Sequence, residues 1–112
     1  MTAEQHLDLE ALNELKEVMG DEFSLLITTF IDDSVTRLDT IKSAVQSADP
    51  EAIRRTAHSF KGSASNMGAL QLTDHCRRLE ELGHSGTSDG ADVIFEKLVA
   101  EYQQVEQALR QL

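Results

Sequence analysis

The chain is poor in the residues that staple, break or flatten a fold. Its 112 residues include no tryptophan, one proline, one cysteine and six glycines, and only 4% are aromatic. The lone cysteine, Cys76, excludes an internal disulfide and fits a reducing compartment. So few breakers leave room for long helices, and Val and Ile are scattered without the alternation of a half-buried strand. No apolar run approaches the roughly 18 residues of a membrane-spanning helix. Met1-Thr2-Ala3-Glu4-Gln5-His6 lacks the basic and apolar regions of a signal peptide. The expected location is the cytoplasm. Cationic charge is also scarce: 10 Lys and Arg stand against 20 Asp and Glu, a net charge of −10. That balance argues against nucleic acid, whose affinity comes mainly from cations that neutralise phosphates, and against anionic membrane surfaces. A partner with a basic rim would be attracted. With 40% hydrophobic residues the chain is too apolar for a disordered tail, and its length suits a single domain over residues 1–112.

What remains reads as helices. A short first segment from Asp8 to Met19 carries Leu12, Leu15, Val18 and Met19 at helical spacing, with Gly20 placed to end it in a left-handed cap. Asp21 is placed to cap a second helix, and the helical period then holds from Phe23 through Val35 to Val45, ending near Ser47. That is a rod of roughly 40 Å. Asp49-Pro50 is a strong helix start, and the third helix runs from Pro50 to Asn66 before Gly68. The fourth, from Ala69 to Leu82, lines up Leu72, Cys76 and Leu79 and is expected to stop at Gly83. Residues 83–90 read as a loop. A fifth helix from Ala91 to Leu112 carries Ile94, Leu98, Tyr102, Val105, Leu109 and Leu112. The predicted architecture is all-α: an antiparallel four-helix bundle with a short preceding N-terminal helix.

The third helix holds the chemistry. On a helical wheel Ile53, Ala57, Phe60, Ala64 and Met67 form the core stripe, and His58 lies almost opposite, exposed. Its neighbours along the surface are Arg54, Arg55, Lys61, Gly62 and Ser65. Three cations stand against one acid, Glu51, between Pro50 and Gly68, a positive patch on an acidic protein. Such a patch suits an anion. Gly62 costs helix stability, about 1 kcal/mol relative to alanine, and opens the space one turn beyond the imidazole. A neutral imidazole is a nucleophile at physiological pH. A phosphoryl group on its nitrogen would be stabilised by the Lys61 ammonium. There is no Walker motif, no G-x-G-x-x-G and no local metal-binding carboxylate cluster, so the chain would receive and pass on phosphoryl groups without activating phosphate itself.

Residues 57–69, Ala-His-Ser-Phe-Lys-Gly-Ser-Ala-Ser-Asn-Met-Gly-Ala, resemble the pattern of the histidine-containing phosphotransfer (HPt) domain family: A-H-x-L-K-G, five residues, then G-A. Leu72, Cys76, Leu79 and Glu80 continue the match, resembling L-x-x-x-C-x-x-L-E. The close match covers residues 57–80, and Phe60 departs from the more usual Leu at a core position. The resemblance implies a four-helix bundle acting in two-component signal transduction. His58 would be the phosphoacceptor, taking phosphate from a receiver-domain aspartate or a kinase and passing it to a response-regulator receiver in a multistep phosphorelay. Lys61 would stabilise the phosphoryl group, Gly62 would give clearance, and Glu80 matches a position where the family often hydrogen-bonds the imidazole. Arg54, Arg55 and Ser65 are candidate partner contacts.

The implied protein is a phosphocarrier rather than a true enzyme, without kinase activity. It has no cofactor of its own, Mg2+ being expected on the partner receiver. The implied partners are response-regulator receiver domains and a (hybrid) sensor histidine kinase, and the expected state is a monomer. Plainer readings stand beside these. His58 would be a solvated surface histidine, Arg54 and Arg55 a solvated face, and Glu80 a surface partner of Arg77 or Arg78. Met19 and Phe23 read either as docking surface or as core. Cys76 reads as a core residue, and His6, His75 and His84 lack the spacing of a zinc site. The rival function is a non-catalytic bundle adaptor that binds a receiver or kinase.

Overall fold

The computed structural model describes residues 5–112, so Met1–Glu4, which carry most of the signal-peptide argument, lie outside it. The described residues form five helices and no strand: α1 (Leu9–Met19), α2 (Glu22–Gln46), α3 (Pro50–Asn66), α4 (Leu70–His84) and α5 (Ala91–Arg110). Links of a few residues join α2, α3, α4 and α5, which forces each to run against its predecessor. α3 and α4 share the most extensive contact, and α5 closes the ring by packing on both α4 and α2. No helix among the described residues is long and apolar enough to cross a membrane.

The helix ends show where local signals held. Asp8 caps α1 through its carboxylate, 3.1 Å from the Ala11 amide, and Asp49 caps α3 by accepting from Ala52 at 3.2 Å, with Pro50 next. Asp21 does not cap α2: it is already in helical conformation (φ −63°, ψ −25°), so its side chain is not turned back toward the first amides. Gly20 does end α1, but at φ 60°, ψ −126°, outside the left-handed helical region and still accessible to glycine. α5 stops at Arg110, two residues short of Leu112, which is exposed.

Gly83 is the largest departure. It does not terminate α4, which runs on to His84, and it is buried. A Cβ there would lie 2.5 Å from the Pro50 carbonyl oxygen and 2.6 Å from the Arg54 amide nitrogen. The residue is glycine because the backbones of α3 and α4 nearly touch.

The core is the set of stripes read from the sequence, with a few defections. Ile53, Ala57, Phe60, Ala64 and Met67 are all buried, as are Leu72, Cys76 and Leu79. Phe30, Phe60 and Tyr102 meet with ring centroids 6.3–6.5 Å apart, so the phenylalanine at position 60 fills the centre between α2, α3 and α5. Phe23 is buried and Met19 packs partly against the core, which favours the core reading of both over a docking surface. Val18 and Val35 sit on helical spacing yet are exposed, 85% and 56%. The core stripes of α1 and α2 are narrower than their apolar patterns.

The N-terminal segment is fastened across one end of the bundle. The Asp8 amide donates to the Gly68 carbonyl at 2.9 Å, and Gln71 donates to the Gln5 carbonyl. His6 is buried with its Nδ1 2.7 Å from Glu101 Oε2 on α5.

Candidate functional site

His58 stands on the solvent ridge of α3 because the four core residues around it consume the opposite face. Its side chain is 64% exposed. Its Nδ1 lies 2.8 Å from Glu80 Oε2 on α4, and its Nε2 has no hydrogen-bond partner among the described residues. The other carboxylate oxygen of Glu80 forms an ion pair with Lys61 Nζ at 2.7 Å. One glutamate thus ties together a histidine and a lysine that sit three residues apart on the neighbouring helix.

The electrostatics follow from this arrangement. Partial burial pushes the Glu80 carboxyl upward, but contacts with Lys61 and His58 and their charges outweigh it, and the group is held below its ordinary range. Glu80 is therefore ionised at neutral pH and can only accept. In the neutral ring the proton then sits on Nδ1, and the lone pair is on Nε2, the nitrogen facing solvent. Cys76 lies under the same site but is not a second nucleophile: burial, with Glu80's charge adding to it, pushes its thiol up to about 12.

Of the residues singled out in the sequence, Glu80 is brought into direct contact with both His58 and Lys61. Gly62 is exposed one turn on, and a Cβ there would meet nothing within 4 Å, so the surface at that turn is open. Ser65 is exposed further along the ridge. Arg54 is engaged: its guanidinium grips Glu51 at 2.6 and 3.0 Å within α3. Arg55 is exposed and unpaired among the described residues. The surface-pair reading of Glu80 is corrected, since Arg77 binds Asp74 and Glu81 and Arg78 binds Asp74.

Two residues escaped the sequence reading. Glu101 lies three residues after Leu98 and four before Val105, on the buried stripe of α5, so a charge at a core position was a visible signal. Arg37 of α2, which donates to the Ser59 hydroxyl beside His58, left no such mark.

An exposed histidine, its ring oriented by a carboxylate and flanked by a lysine, on a bundle with no other catalytic apparatus among the described residues, defines a phosphotransfer module. The chain belongs to the Hpt domain family, whose model matches residues 25–108. It is similar in structure to histidine-containing phosphotransfer protein B (HptB) from Pseudomonas aeruginosa PAO1, with a TM-score of 0.90 and 42% identity, covering 95% of this chain and 92% of that one. It is 35% identical over 79 residues to sensor protein TorS of Escherichia coli (strain K12), a match that covers 70% of this chain and 9% of TorS. The chain thus corresponds to a small part of that sensor's length.

Proposed function

We propose that His58 carries a phosphoryl group between aspartates of receiver domains, with Lys61, Gly62 and Glu80 as its working surroundings. The Nε2 lone pair attacks the phosphorus of a receiver's aspartyl phosphate. The bond from phosphorus to the aspartate oxygen breaks, and the aspartate leaves as a carboxylate. The ring keeps its Nδ1 proton, so the phosphorylated imidazole is cationic, and Glu80 stabilises that charge at hydrogen-bond distance. Lys61 exchanges its partner from Glu80 to the phosphoryl oxygens, where charge spreads in the transition state. Gly62 leaves the approach to Nε2 open for in-line transfer. Transfer to a second receiver is the same step reversed. Mg2+, where required, belongs to the receiver, and one chain supplies the whole site, so a monomer suffices.

The observation that carries this reading is the pairing of Nδ1 with Glu80 on a ring that is 64% exposed, which leaves the nucleophilic nitrogen outward. The adaptor reading offers no reason for that arrangement. Incubation with a phosphorylated receiver domain tests it. Acid-labile, base-stable label is expected on the wild type and none on His58→Gln, which should melt with the wild type. Label on another residue would overturn the assignment of His58, and no label from any competent receiver would return the protein to the adaptor class.

A further inference from the structure

The six arginines divide into two groups. Arg54, Arg77, Arg78 and Arg110 each hold a carboxylate on their own helix. Arg37 and Arg55 hold none among the described residues, although the chain carries twice as many acids as cations. These two line the same cavity, about 200 Å³ between α2 and α3, together with Thr36, Thr40, Thr56 and Ser59. The Arg37 guanidinium donates through Nη1 to the Ser59 hydroxyl, while its Nε is buried without a hydrogen-bond partner among the described residues. A desolvated guanidinium N–H with no acceptor is uncommon in a native protein and calls for an explanation.

The cavity borders the acceptor. Ser59 follows His58 directly, and Arg55 precedes it by one turn. At about 100° per residue both fall on the flank of His58 away from Lys61 and Glu80. The ridge of α3 therefore has a chemical side against α4 and an unfilled cationic side against α2.

We propose that this cavity receives an acidic side chain, Asp or Glu, of the receiver domain that exchanges phosphate with His58, so that Arg37 and Arg55 determine which receivers dock. The inference rests on the phosphoacceptor reading above. Its volume falls below the roughly 300–1,000 Å³ of small-molecule sites and suits one carboxylate-bearing side chain. A receiver centred on His58 buries about 800 Å² of this protein and must cover the adjoining turn of α3. On an acidic surface, two guanidinium groups that hold no carboxylate among the described residues mark a place where a partner's acid is attracted rather than repelled.

The test is transfer from a receiver domain that labels wild-type His58, measured over a range of receiver concentrations and salt. Arg55→Gln and Arg37→Gln are each expected to raise the receiver KM about tenfold while the saturated rate stays within about twofold. Arg55→Glu should raise KM further and lose most of the salt dependence. Replacing the facing receiver acid by Arg should restore binding to Arg55→Glu. Arg55 is exposed and makes no ion pair among the described residues, so its variants keep the test decisive even if Arg37→Gln lowers stability through its bond to Ser59. An unchanged KM in Arg55→Glu, or a loss confined to the saturated rate, overturns the proposal. A wild type that takes no label breaks the phosphoacceptor reading instead.

Discussion

His58 and His6 make the same bond in opposite surroundings. Each ring turns Nδ1 to a glutamate, at 2.8 Å to Glu80 and at 2.7 Å to Glu101. The His58 and Glu80 side chains are 64% and 18% exposed, whereas His6 and Glu101 are 4% and 8% exposed. Breaking a dry pair strands a polar group away from water, which costs several kcal/mol. Opening a wet pair costs little, because water replaces the lost partner. The buried pair is therefore suited to fastening, holding the N-terminal segment to α5. The exposed pair can be rearranged in every turnover without threatening the fold. Glu80 also has a second partner in Lys61, the charge that the proposed function turns toward an arriving phosphoryl group.

The comparison is tested most severely at Glu101. Glu101→Ala is expected to lower stability by about 3 kcal/mol, read by thermal or denaturant unfolding, while the folded fraction still transfers phosphate at the wild-type rate. A slowed transfer per folded molecule would join the two histidines into one system and end the contrast. Lys61→Ala should show the reverse profile. Transfer should slow roughly 10- to 100-fold, about 1.4–2.8 kcal/mol, with a melting curve close to wild type.

Glu80 offers a finer division, because glutamine keeps an acceptor for Nδ1–H but gives up the charge. Glu80→Ala should slow transfer about tenfold, and Glu80→Gln should slow it less. Acid sharpens the same point. The folded-state carboxyl lies below its ordinary value of 4.5, so its stabilisation is present above that pH and is lost as pH falls through the lower folded value. The stability difference between wild type and Glu80→Gln should shrink across that acidic window, and a difference that grows there would reverse the assignment.

The smallest expected effect is at Gly62. A Cβ there enters open space, so Gly62→Gln should raise stability by up to about 1 kcal/mol while its side chain obstructs transfer. A stabilised variant with wild-type transfer would leave the glycine without a role in clearance.

Most of the fold was legible because the signals were local. Asp49-Pro50 announces α3, and the stripe from Ile53 to Met67 places His58 on the opposite face without reference to any other helix. The failures share a cause. Gly83 reads as a stop, and only the nearness of Pro50 and Arg54, some thirty residues earlier in the chain, turns it into a packing glycine. Val18 and Val35 have the spacing of core residues, but none of the described elements covers them. At the site, His58 and Lys61 could be read from one helix. The partner of Glu80 was undecided because Arg77 and Arg78 lie on its own helix, and the sequence alone does not rank them against two groups that cross from α3.

The glycine at position 83 has a mechanical side. It lies one turn beyond Glu80 on α4, and the backbone it presses against, at Arg54, lies one turn before His58 on α3. The absent side chain thus sets the gauge between the two helices at the point where the imidazole is gripped. A single methyl group inserted there would act as a wedge close to that grip. The span between Glu80 and His58 would be among the first to widen, and the ring would begin to swivel. The precision of the acceptor is in this sense machined from behind, by an atom the chain leaves out.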